Sequence, residues 1–213
     1  MKTLAPVIHI DEEKCVNCHA CVTACPVKFC NIGIGKALRI DHNTCIGCGA
    51  CVVACTHNAR DTIDDFQALL KSLCQNEQVI VITAPSIIGN FPSTHKRILG
   101  WLRSKGVAAI FDVAFGAELT VKSYAEYMKT EKPPVLISQP CPVIVSFLEI
   151  HHPELLPWLA PLGSPMQHVM QMVREFYPQY SEAKIVAISP CVAKRREFDS
   201  IGLGDYVVTF KSI

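Results

Sequence analysis

The sequence predicts an α/β protein in which a small, duplicated, cysteine-rich unit precedes a mostly parallel β-sheet. Two observations predict it. Eight of the twelve cysteines fall between Cys15 and Cys55 in two clusters of one pattern. Beyond them, short continuous apolar runs alternate with amphipathic stretches, the signature of a sheet covered by helices. With 213 residues, half of them hydrophobic and 18% charged, the chain can bury a core and is not a disordered polymer. A net charge of +1 gives no electrostatic footprint for nucleic acid or a membrane surface. The most apolar stretch, 79–89, contains Pro85 and falls short of the roughly 20 residues needed to cross a bilayer, so no membrane insertion is expected. The first residues carry no sustained apolar segment of the secretory kind, and a cytoplasmic location is expected.

Thiols in a reducing compartment are metal ligands more readily than disulfide partners. The segment IHIDEEKCVNCHACVTACP (8–26) returns as LRIDHNTCIGCGACVVACT (38–56), and neither copy is long enough to bury a face alone. Each reads C-x2-C-x2-C-x3-C. Soft thiolates at this spacing wrap a cubane of iron and sulfide. In two-cluster ferredoxins the fourth Cys of each run ligates the other cluster. Cys15, Cys18, Cys21 and Cys55 are therefore assigned to one 4Fe-4S cluster, and Cys45, Cys48, Cys51 and Cys25 to a second. Zinc is the competing reading, but zinc sites use separated Cys pairs rather than three Cys plus a fourth in duplicate. Pro26 follows the first run as the pattern expects; Thr56 replaces it in the second, a change of turn rather than of ligation. Cys30, between the copies, reads as a free thiol or a spare ligand. Cys74 reads as a buried structural thiol on a helical face with Phe66, Leu70 and Leu73.

A helix predicted over 63–75, with Asp64 as a cap, occupies the connecting segment 61–77. It joins a unit over 1–60 to a second domain over 78–213. There the runs 79–83, 108–113, 135–138, 184–189 and 206–210 read as strands. Three end alike: the first enters Ala84-Pro85-Ser86, the third Gln139-Pro140-Cys141-Pro142 and the fourth Pro190-Cys191. Ligands of open parallel sheets sit just outside the carboxyl ends of the strands, so Cys141 and Cys191 are expected to face one metal site.

The blocks FDVAFGAELT, ISQPCPVIVSFLEIHHPELLPWLAPLGSPMQ and ISPCVAKRREFD resemble the first part of the catalytic domain of FeFe hydrogenases, and the tandem ferredoxin motif fits that family's domain order. The resemblance covers the chain from about residue 5 to 213. It implies an H-cluster, a 4Fe-4S cubane joined through a Cys to a two-iron site, and interconversion of hydrogen gas with protons and electrons. By resemblance Cys141 and Cys191 are the first two cubane ligands. Lys194, the candidate catalytic group, would donate to a cyanide of the two-iron site, as a compact ammonium can. Ala84, Pro85 and Ser86 match donors to another cyanide, and Glu197 a motif acid pairing with Lys194. Arg195 and Arg196 read as a solvated basic run. A ferredoxin or a flavin/NAD subunit is the implied redox partner.

Several positions depart from the hydrogen-producing pattern. Pro140 stands where those enzymes carry a second Cys that passes the proton, and Tyr124 and Ala160 stand where their relay has Glu and Ser. A phenol that titrates near 10 is a poor substitute for a carboxylate, and Ala offers no hydrogen bond. Glu126 is two residues out of register, and Ser189 and Met166 replace a Met and a Gln. These changes resemble the sensory branch of the family and imply slow turnover. The third cysteine motif, which supplies two further cubane ligands, is absent from the sequence, which reads as a fragment with an unpaired strand edge. Three functions stand: an FeFe-hydrogenase-type oxidoreductase, a hydrogen or redox sensor attached to a downstream signalling domain, and a ferredoxin-like electron carrier without an H-cluster. Elsewhere His151 and His152 read as a surface helix start, Leu155, Leu156 and Trp158 as core, and Asp112 as a capping or accepting side chain.

Overall fold

The computed structural model describes residues 4–213. The duplicated unit comprises β1 (Ile8–Ile10), α1 (Ala20–Ala24), β2 (Asn31–Ile34), β3 (Ala37–Ile40), α2 (Ala50–Val53) and β4 (Arg60–Thr62). β1 pairs antiparallel with β4, and β2 with β3, so each end of the unit is closed by a two-stranded ribbon. The second domain runs α3 (Phe66–Cys74), β5 (Val79–Thr83), α4 (Ile87–Asn90), α5 (His95–Ser104), β6 (Ala109–Asp112) and α6 (Val113–Thr130). It continues through α7 (Pro142–His151), a 3₁₀ segment Pro153–Trp158, α8 (Pro165–Phe176), β7 (Lys184–Ser189), α9 (Lys194–Ile201) and β8 (Tyr206–Thr209). No helix of the described residues is long and apolar enough to cross a membrane.

All four strands of the main sheet are parallel, in the order β6-β5-β7-β8. Alternation along each strand divides their side chains between two layers. Ile80, Ile82, Ile185, Ala187 and Val207 pack against Val113 of α6, Met166, Val169, Met170 and Val173 of α8 and Phe198 of α9. Val79, Val81, Val186, Ile188 and Val208 face Leu69 of α3 and Leu102 of α5. The continuous apolar runs are thus strands buried on both faces. From β5 the chain moves first to β6 on one side and later to β7 on the other. The strand order therefore reverses between β5 and β7, and their carboxyl ends flank a topological switch point.

Five expectations need correction. The run 135–138 is not a strand of the sheet: Ile137 makes one isolated bridge, to Leu159. Pro133, Pro134 and Pro140 bracket it, and residues without an N–H cannot sustain a ladder. Cys74 is exposed, not buried. The inward face of α3 centres on Leu69 and Ser72, and at about 100° per residue Cys74 lies well round the helix from both. Trp158 and Leu156 are exposed on the 3₁₀ segment, held between Pro153 and Pro157 beside α7 rather than over the sheet. His151 ends α7, so of the two histidines only His152 starts a helix over that block, as the cap of the 3₁₀ segment. The outer edge of β8 is not bare. Asp65 donates its N–H to Val207 O (3.0 Å) and accepts from Val207 N–H (2.9 Å), while Asp64 accepts from Thr209 N–H. Asp64 also takes the Phe66 N–H at 2.7 Å, one residue ahead of the actual N-cap, Asp65, whose side chain bonds no amide of the helix; the two acids serve as a partial edge strand.

Asp112 caps α6, accepting from Ala114 N–H at 2.8 Å. α6 crosses α8 closely, and Gly116 is the point of approach: a Cβ there would collide with the Pro165 carbonyl oxygen and lie 2.8 Å from Val169 Cγ2. Helix propensity alone favours Ala over Gly by about 1 kcal/mol. Gly116→Ala is nevertheless expected to destabilise the protein by roughly 1–3 kcal/mol through overpacking. Urea unfolding checks the sign.

Candidate functional site

The two cysteine loops share a backbone device. Asn17 (φ 57°) and His19 (φ 64°) in the first copy, and Gly47 (φ 75°) and Gly49 (φ 79°) in the second, are left-handed. Left-handed residues between successive cysteines coil the loop so that thiols and amides turn inward, a conformation Asn and Gly tolerate best. Gly47 N–H points at Cys45 Sγ (3.4 Å), and Lys28 N–H at Cys25 Sγ (3.3 Å).

Around these loops the thiols surround two cavities. Cys15, Cys18, Cys21 and Cys55 line one, with Leu38, His57 and Ala59. Cys25, Cys45, Cys48 and Cys51 line the other, with Ile8, Ile40 and Ile46. Each cavity thus takes three cysteines from one copy and the fourth from the other. Among the described residues no three Cys, His, Asp or Glu side chains converge as they would on a single metal ion. The donor set suits a larger group: each cavity offers four soft thiols in an apolar wall, and Arg60 Nη1 and Nη2 are buried there without a hydrogen-bond partner. An anionic iron-sulfur cluster in each cavity would satisfy both features.

Cys30 is a fifth thiol in the second cavity. It is buried, and its Sγ lies 3.5 Å from Cys25 Sγ. A hydrogen bond to Cys45, then burial, raises the Cys30 thiol, and the same bond lowers Cys45 to about 6. Burial raises Cys51 and Cys21; the Arg60 guanidinium opposes it at Cys51 by a weak donor contact to the thiol and then by its charge, and at Cys21 by its charge. At Cys55 burial is outweighed by the amides of Ala59, His57 and Arg60, and the thiol falls.

At the switch point, Ala84 N–H donates to Ile188 O (2.9 Å), which sets the Ala84-Pro85-Ser86 turn beside the end of β7; Pro85 and Ser86 are exposed. Cys191 follows β7, held by Ser189, whose Oγ accepts from Cys191 N–H at 3.3 Å. Cys141 precedes α7. Both thiols are half-buried, and Cys191 is raised by burial while remaining near enough to feel the charge of Cys141. Lys194 is buried, donates to Pro140 O at 3.2 Å and forms an ion pair with Glu197, which in turn accepts from Ser164 Oγ. Tyr124 accepts from Gln139 N–H at 3.0 Å, so its phenol stands at the Ser138-Gln139 peptide. Ala160 is buried with its N–H on Ile137 O.

Residues 77–213 match the family described as the iron only hydrogenase large subunit, C-terminal domain, and residues 7–56 match a 4Fe-4S dicluster domain. The chain belongs to the iron-only hydrogenase family. Two solved structures share the fold. One accompanies a description of FeFe-hydrogenase oxygen inactivation through modification and degradation of the 2Fe subcluster of the H cluster; it is 24% identical, with a TM-score of 0.59. The other is a variant FeFe-hydrogenase from Chlamydomonas reinhardtii, 24% identical, with a TM-score of 0.56. Each comparison covers 69% of this chain and 45% of the other, so the chain spans less than half the length of these hydrogenases. No curated protein matches it.

For an H-cluster of the iron-only hydrogenases the fit is partial. Among the described residues Cys191, after β7, and Cys141, at the start of α7, furnish two thiols, half the set a cubane takes.

Arg196, expected in solvent, is buried and joins the hydrogenase domain to the duplicated unit. Its guanidinium donates to Cys45 O (2.6 Å), Ala5 O (3.2 Å), His42 O (3.2 Å) and Ser146 Oγ (3.2 Å). Burial lowers its pKa and the nearby Cys45 opposes this; a guanidinium stays charged regardless. Arg195 is half-buried and paired with Asp65. Sequence reasoning missed Arg196 because nothing local marks its contacts, and missed Arg60 although the repeat sets it at the position of Cys30. Each stranded buried acceptor costs about 1–3 kcal/mol, so Arg196→Met is expected to cost at least that much and Arg196→Lys less. Thermal unfolding of the two variants tests this.

Proposed function

We propose that this chain carries electrons through two 4Fe-4S clusters to the strand-end site of an FeFe-hydrogenase-type oxidoreductase. The observation that carries the reading is the crossed grouping of thiols, three from one copy and one from the other, around each cavity. Cys15, Cys18, Cys21 and Cys55 hold one cluster, and Cys25, Cys45, Cys48 and Cys51 the other. When bound, the clusters supply one-electron carriers at the surface and in the interior of the duplicated unit. Cys18 and Cys48 are exposed, which gives a ferredoxin or a flavin/NAD subunit a point of access. The tie from Cys45 O through Arg196 to α9 supports electron delivery toward Cys191, because it fixes the second cavity against the helix that follows this thiol.

Cys191 after β7 and Cys141 at the start of α7 are the cubane ligands of this reading, and a complete cubane takes two thiolates beyond those of the described residues. Lys194, held by Pro140 O and Glu197, is the cation of that site; Ala84, Pro85 and Ser86 form its β5 wall. Proton movement is slow, since Pro140 has no titratable group, Ala160 none either, and the Tyr124 phenol is engaged with Gln139 N–H. The sensory alternative rests on these same residues.

Anaerobic reconstitution is expected to load about eight irons per chain. Cys55→Ser should remove the cluster of the first copy's loop and Cys25→Ser that of the second, each leaving about four irons. Iron analysis with low-temperature EPR reads both. Loss of the same-copy cluster in either variant would overturn the crossed ligation. In a holoprotein with a complete strand-end site, Pro140→Cys should raise hydrogen evolution; an unchanged rate would count against the altered relay.

A further inference from the structure

The thirty-residue repeat places Cys30 and Arg60 at equivalent positions, five residues after Cys25 and Cys55. Both side chains are buried, at 3% and 4% exposure. The similarity ends there. Cys30 is a neutral thiol in the second cavity, whereas Arg60 lines both cavities, the one described residue common to the two linings. Its Nη1 and Nη2 have no hydrogen-bond partner among the described residues. Neighbouring carboxylates do not serve it: Asp61 pairs with Lys211 and Asp11 with Lys14, each at 2.7 Å. A buried cation left unpaired costs several kcal/mol. It persists where a negative charge faces it, and here the groups that would do so are the thiolates and sulfides of the two clusters.

We propose that Arg60 is a fixed positive charge shared by the two cluster sites, which raises the reduction potential of both clusters and makes them easier to reduce. This rests on the two-cluster reading above. A thiolate-bound cubane is anionic when oxidised and gains a further negative charge on reduction. A cation that cannot be solvated away therefore favours the reduced form at each site, and most strongly where water is excluded. Guanidinium suits the position because it cannot deprotonate and presents several donors in one plane to acceptors on opposite sides. The second copy thus contributes a charge for which the first has only a thiol, and the internal symmetry of the unit is broken at this buried position.

The test is a redox titration of the reconstituted full chain, followed by EPR, with iron analysis on each sample. In Arg60→Met, which keeps length and loses charge, the ratio of reduced to oxidised cluster at a fixed poise should fall about tenfold at both sites, a midpoint shift of about 59 mV for a one-electron couple. Arg60→Gln, neutral but able to hydrogen-bond, should follow Met; Arg60→Lys should stay with the wild type. Unchanged midpoints in Met and Gln variants that hold full iron would overturn the proposal. So would a Lys variant that moves as far as Met, since shape rather than charge would then be responsible. Loss of iron from both neutral variants would make Arg60 an assembly requirement and overturn the redox assignment. Failure of the wild type to load two clusters would instead overturn the two-cluster reading itself.

Discussion

The arrangement depends on one buried guanidinium. Arg196 leaves the first turn of α9 and satisfies carbonyls of Ala5, His42 and Cys45, three points on the loops of the duplicated unit, together with the Ser146 hydroxyl on α7. Desolvating a guanidinium is costly, and it is offset here only because its donors find fixed acceptors on both sides of the domain boundary. The consequence is geometric. A thiol-bearing loop of one domain and the helix behind the strand-end thiol of the other are held in one hydrogen-bonded frame. Apolar packing adds to it, with Val192, Val143 and Phe147 set against the cysteine cluster of Cys25, Cys45 and Cys51.

Within the duplicated unit, symmetry does most of the work and asymmetry sets the chemistry. The paired left-handed residues in each loop and the helices starting at Ala20 and Ala50 repeat faithfully. The linkers differ: one ends at a thiol that donates to Cys45, the other at a cation between the cavities. Two sites built from one motif thereby receive different electrostatic surroundings. Hydrogen bonds, charge and burial around sulfurs tune cluster potentials, and Cys30, which lines only the second cavity, is a difference in surroundings between the two sites.

The strand-end site shows what a topological switch point provides. β5 and β7 are neighbours whose crossovers leave in opposite directions, and the Ala84 N–H on Ile188 O sets the turn after β5 beside the end of β7. Lys194 is drawn inward there by Pro140 O and Glu197 rather than left on the helix surface. Pro140 thereby contributes a carbonyl acceptor at a position where its side chain can move no proton. Tyr124 is similarly occupied by a backbone amide. The residues around Lys194 hold a cation firmly, with a neutral proline carbonyl and the Glu197 carboxylate as its partners.

The sequence by itself determined the cysteine spacing, the duplication and four of the five apolar strands, because each is encoded in local patterns of residue type. Ligand spacing survives any fold that keeps the loops intact. The tertiary structure alone decided the strand order, and with it the switch point. It placed Arg196 and Arg60 in the interior, turned Cys74 outward, withheld the proline-bracketed run 135–138 from the sheet and covered β8 with Asp64 and Asp65. Those outcomes depend on partners between about twenty and almost two hundred residues away, such as Ala5 for Arg196, and no local pattern of polarity records which charged side chain will find enough fixed partners to be buried.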